Sequence, residues 1–160
     1  MIPDEITEFL VERAHVGICG TRNADMVPRA HYVSGWVVEA DRETINCSIA
    51  ESHTANLVRN LEDNQQIAMT IEQLGSHETY QFKGRFIDVH QPDDKDLAAV
   101  EQIRERFTEF MSPRVGGDGE LCGHYIAHPG IVVRFSVSEI FLQTPGPGAG
   151  KRLVPKEETS

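Results

Sequence analysis

The sequence predicts a mainly β domain: one closed antiparallel sheet of about six strands, flanked by helices. Three observations predict it. Six runs of β-branched or alternating residues are separated by Gly, Asn, Asp or Pro. Only three segments carry apolar residues at helical spacing, and no internal repeat points to a solenoid or propeller. At 160 residues, with 39% hydrophobic residues, the chain can bury one core and is short for two.

The elements follow in order. Ile6, Phe9, Leu10 and Ala14 recur at helical spacing behind Pro3 and Asp4, predicting a helix over residues 4–14. The period then shortens to that of strands at 16–19, 29–38 and 44–50. Ser52 is a good N-cap, and Leu57, Val58 and Leu61 give the segment behind it one apolar face. Strands return at 67–71 and 79–89. Leu97, Val100, Ile103, Phe107 and Phe110 then form a long stripe behind Pro92-Asp93-Asp94, read as core or dimer packing. The glycine-rich stretch 112–123 reads as a mobile loop and 131–142 as the last strand. Past Leu142, the run TPGPGAGKRLVPKEETS predicts no regular structure, and residues 154–160 read as a disordered tail.

Charge excludes some partners. The 25 acidic against 15 basic residues give a formal charge of −10, which opposes binding to nucleic acid or to an anionic membrane. Cys19, Cys47 and Cys122 are odd in number and widely spaced, which argues against a disulfide framework or a four-cysteine zinc site. The acidic MIPDEITEFL start lacks the pattern of a signal peptide, and no apolar run reaches the length of a membrane span. A cytoplasmic location is expected.

The stretch from Val27 to Leu61 carries the chemistry. Arg29 sits on one predicted strand; Ser48, Ser52, His53 and Thr54 gather where the next strand feeds a helix. Free backbone N–H groups and the positive end of a helix dipole make such a junction a seat for phosphate. Plain capping would also account for Ser52 and Thr54, and it is Arg29 upstream that favours an anion. His31 alternates with Arg29 along its strand, so both can face one cleft, and imidazole can also ligate haem iron. Two other motifs fail. In GPGAGKR, Pro145 stands where a P-loop needs its first glycine and Arg152 where it needs Ser or Thr. Cys122, His124 and His128 are close in sequence, but Pro129 biases His128 away from a helix, so no metal site is assigned.

The order of these pieces resembles the FMN-binding split β-barrel of the pyridoxamine 5′-phosphate oxidase-like family. Its carriers are Pro28-Arg29, Cys47-Ser48, Ser52-His53-Thr54 followed by Asn56-Leu57, and Lys83-Gly84-Arg85, and it spans most of the chain. It implies a single domain over residues 1–153 and a homodimer with FMN in clefts between subunits. Arg29, Ser48, Ser52, His53 and Thr54 would meet the phosphate, and Thr79 or Gln81 would approach the flavin ring from the other subunit. Trp36, Phe82 and Phe86 are large apolar residues available for that interface. The expected function is an oxidoreductase acting on a small organic substrate. The alternatives are a deazaflavin, haem or no cofactor, and a binding or stress-related module without turnover.

Two departures qualify the resemblance. The oxidase commonly has lysine at the positions of Thr54 and Ser34 and arginine at that of His53, so the phosphate here would rest on Arg29, hydroxyls and backbone N–H groups. The oxidase also closes its substrate phosphate site with an Arg-x-His pair near the C-terminus, where this chain has Lys151-Arg152-Leu153-Val154. Pyridoxine 5′-phosphate is therefore not the expected substrate.

Overall fold

A computed structural model describes residues 1–50, 54–116 and 119–154. Helix α1 (Asp4–Glu12) leads into β1 (His15–Arg22), β2 (Pro28–Val38) and β3 (Thr44–Ala50). Helix α2 (Thr54–Asn64) follows, then β4 (Gln66–Gln73), β5 (Thr79–His90), α3 (Asp94–Val115), α4 (Gly119–Gly123), β6 (Pro129–Leu142) and β7 (Arg152–Val154). The strands run β3-β2-β1-β4-β5-β6-β7, all antiparallel, and a second pairing of β3 with β6 closes the first six into a barrel.

Alternation decides which side chains fill the barrel. On β1, His15, Gly17, Cys19 and Thr21 are buried while Ile18 is exposed. Every residue of β3 but the last is buried, because both of its faces are covered. One barrel end is plugged by α1 through Ile6 and Leu10, and Trp36 Nε1–H donates to the Leu10 carbonyl at 3.1 Å. The other end is plugged by α2 through Leu57 and Leu61, with Asn60 donating to Thr21 Oγ1 at 3.0 Å and Asn64 to the Arg22 carbonyl at 2.8 Å. The buried Asn60 amide and the half-buried Asn64 amide thus fix the angle at which α2 enters.

Helix α3 starts on a capping box in which Asp93 accepts from the Lys95 and Asp96 N–H groups and Asp96 accepts from the Asp93 N–H. It lies across β2 at Gly35, where a Cβ would come within 2.7 Å of Val100 Cγ2. Only glycine lets the helix sit that close.

Several expectations need correction. The stretch 112–123 is not a continuous loop: α3 runs through Pro113 to Val115, Gly116 closes it in the left-handed region at φ 62°, and α4 follows. Residues past Leu142 are not all irregular, since β7 pairs Val154 with Ile140 and Arg152 with Phe141. Val154, expected in the tail, is therefore part of a strand, and 155–160 lie outside the described residues. Trp36 and Phe82 are 5% and 0% exposed and so fill the barrel, which leaves only Phe86, partly buried against the core, with surface to offer a partner.

Candidate functional site

The first three residues of β2 project beyond the core and are exposed. Arg29 stands on this lip, opposite Thr21 of β1, on the same alternation as buried His31, which faces Cys19. Arg29 has no carboxylate partner among the described residues. In an acidic chain, that leaves a full positive charge open to an anion. Thr54 begins α2, an eleven-residue helix whose first turn holds no acidic side chain to compete for its N–H groups. Ser52 and His53, between β3 and α2, lie outside the described residues.

The register does not bring Ser48 to this lip. It pairs with Gly35 on β2 and Val132 on β6 and is 2% exposed, six residues along the strand partner from Arg29, or about 20 Å at ~3.3 Å per residue. Thr79 and Gln81 lie on β5, separated from β2 by β1 and β4. Thr79 is taken up locally: its Oγ1 donates to the His77 carbonyl at 2.9 Å and its N–H to Thr144 Oγ1 at 3.0 Å. Gln81 Nε2 donates to Thr70 Oγ1 at 3.1 Å, leaving its carbonyl oxygen without a hydrogen-bond partner among the described residues. Within one subunit, then, Arg29 stands at the start of β2, Thr54 at the start of α2, and Ser48, Thr79 and Gln81 in other places.

A cleft that sequence reasoning missed lies at the end of β3. Its volume is about 380 Å³, and Ile18, Tyr32, Ser34, Ala50, Phe107 and Tyr125 line it. Ala50 is the last residue of β3, four positions before Thr54. The register shift between Val33 and Gly35 is a β-bulge that brings Ser34 into the cleft wall. Ser34 is 3% exposed. Tyr125 stacks on Phe107 at 6.3 Å between ring centroids. The described lining carries no charged side chain. The signal in the sequence was weak, since Phe107 and Tyr125 reach the cleft from segments some seventy to ninety positions away.

The described residues hold no group of three or more His, Cys, Asp or Glu side chains placed to bind a metal, and no helix among them is long and apolar enough to cross a membrane. His128 Nδ1 lies 3.0 Å from the Pro129 carbonyl.

Neither a scan against known protein families nor a search of curated proteins returns a match. Solved structures do match. HupZ of Group A Streptococcus is 17% identical, with 94% of this chain and 100% of that one covered and a TM-score of 0.56. A Clostridium acetobutylicum protein related to general stress protein 26, of the pyridoxinephosphate oxidase family, is 14% identical over 96% and 93%, at 0.51. General stress protein 26 of Bacillus anthracis is 10% identical over 94% and 96%, at 0.52. The fold is the split barrel of the pyridoxamine 5′-phosphate oxidase-like proteins.

Proposed function

We propose that this chain binds FMN and serves as a flavin-dependent oxidoreductase for a small organic substrate other than pyridoxine 5′-phosphate. The observation that carries the reading is the pairing of an uncharged cleft that reaches Ala50, four residues before α2, with Arg29 at the exposed start of β2, which has no carboxylate partner among the described residues. A planar, largely apolar ring fits the first; a dianionic phosphate fits the second.

When bound, FMN supplies the redox chemistry. The protein's part is to hold its two ends and exclude water. Arg29 neutralises phosphate charge, the α2 N–H groups and Thr54 donate to its oxygens, and Ser34, Tyr32 and Tyr125 offer hydroxyls in the ring cleft. A charge-assisted hydrogen bond is roughly twice as strong as a neutral one, so Arg29 dominates the phosphate end. Gln81, with a carbonyl oxygen to spare, contributes from the second subunit of a homodimer. Against a vitamin B6 substrate, Arg152 is already committed: it pairs with Glu139 Oε1 at 2.6 Å and lies over the Phe141 ring.

The test is the absorbance spectrum of the protein as purified, followed by an FMN titration. Flavin bands, or quenching of added FMN fluorescence, support the reading. A Soret band in their place would make the chain a haem binder, and a colourless protein that leaves FMN fluorescence unchanged would overturn the proposal.

A further inference from the structure

A second cleft lies on the sheet away from the ring cleft, where β1, β4 and β5 run side by side. Its volume is about 500 Å³, and its walls include Arg22, Lys83, Arg85 and Ser138, with Gly20 and Ala68 as floor. The register explains the assembly. Gly20 pairs with Ala68, Ala68 with Lys83, and Gln66 with Arg85; one pleat repeat beyond Gly20, Arg22 stands toward Gln66. Three cations on neighbouring strands therefore border two positions with almost no side chain.

None of the three is neutralised by a carboxylate among the described residues. Arg22 donates to the Asn23 carbonyl at 3.2 Å, Arg85 to Gln65 Oε1 at 2.7 Å, and Lys83 Nζ sits 4.5 Å from the centroid of the Phe141 ring. The one carboxylate in the cleft wall, Glu139, is held by Arg152 at 2.6 Å. In a chain with 25 acidic residues, three adjacent cations without an acidic partner are a local reversal of the global charge.

The backbone beneath them is fixed. Lys83 pairs with Glu139 but Gly84 pairs with Val137, so Ser138 is the extra residue of a β-bulge, and its Oγ donates to the Lys83 carbonyl at 3.2 Å. A Cβ on Gly84 would stand 2.0 Å from the Ser136 carbonyl oxygen, so the two strands approach too closely there for any other residue. The bulge and the glycine set the direction of Lys83 and Arg85 together.

We infer that this cleft binds the phosphate group of a small phosphorylated molecule, at a site separate from the Arg29 end of the barrel. Arg22 and Arg85 present planar guanidinium groups suited to phosphate oxygens, Lys83 adds a point charge, and the Gly20–Ala68 floor leaves the anion room. Arg29 takes no part, since it alternates with His31 and Thr21 on the opposite face of the sheet from Arg22 and Gly20.

The experiment is a phosphate titration of the full chain followed by amide NMR, with sodium chloride at matched ionic strength as control. The expected result is saturable shifts at Gly20, Ala68 and Gly84 with phosphate and none with chloride. Lys83→Gln combined with Arg85→Gln weakens binding roughly tenfold or more, the loss expected for one or two hydrogen bonds to a charged group. Arg29→Ala leaves these shifts in place. Equal responses to phosphate and chloride, or an unchanged affinity in the double variant, would overturn the inference. Shifts that vanish in Arg29→Ala and persist in the double variant would overturn it too, while supporting the phosphate seat at the α2 end. Unperturbed resonances of the α1 end report that each variant is folded.

Discussion

His15 shows how far a single buried residue can tie the fold to pH. It is 1% exposed, packed edge-on against Phe9 at 4.6 Å and Trp36 at 6.2 Å, and its Nε2 has no hydrogen-bond partner. Burial pulls its pKa down from 6.5 to about 4, while a hydrogen bond to the Arg13 backbone works the other way. Because the folded value lies below the unfolded one, the unfolded chain binds more protons between pH 6.5 and 4. Stability is therefore complete above pH 6.5 and is lost as pH falls toward 4, by about 2 kcal/mol between pH 7.5 and 5. Urea denaturation at these two pH values measures it, and His15→Leu flattens the dependence. Equal slopes for the two proteins would show that His15 is not the titrating group. At this same scale the sequence disclosed Arg29 and Thr54 through residue type and order. It could not disclose Ser34, whose inward turn depends on a bulge, or Tyr125, whose place beside Tyr32 depends on tertiary packing.

Among the elements, α3 does most to shape the ring cleft, since its Val100 seats on Gly35 and its Phe107 forms one wall. Gly35→Ala places a methyl within 3.0 Å of the Val100 Cα, so the helix backbone must move. We expect a loss of about 1–3 kcal/mol, the usual cost of overpacking, read as a lower thermal midpoint together with weaker flavin binding. A variant with unchanged stability would show that the helix seat is looser than the contacts imply. The six barrel strands and the three longer helices were legible because alternation and helical spacing reflect one buried face each. By contrast, β7 has only three residues after a Pro/Gly-rich run, and backbone pairing with β6 creates it without any propensity of its own. The end of α3 was hidden for the opposite reason. Pro113 and the glycines after it read as a break, yet proline in a final turn forfeits only one backbone hydrogen bond, and Gly116 then supplies the left-handed cap.

For the whole molecule, the account requires a second subunit, because Gln81 cannot reach the ring cleft of its own barrel across β4 and β1. Ile18 and Tyr32, 43% and 66% exposed on the outer face of β1 and β2, offer apolar surface for an isologous contact. Light scattering at micromolar concentration is expected to give twice the chain mass of 17.9 kDa, and a monomer would remove the shared site. The net charge of −10 opposes anionic ligands in general, but salt screens it beyond about 8 Å, so local cations decide where a phosphate sits. That makes Arg29 the point at which the account is most exposed. The most direct test is a parallel titration of FMN and riboflavin against the natural chain and Arg29→Ala. The account predicts that the substitution weakens FMN by about 1.5–3 kcal/mol, the scale of a hydrogen bond to a charged group, and leaves riboflavin unchanged. Equal losses for both ligands, or an FMN affinity that does not respond to Arg29, would contradict it.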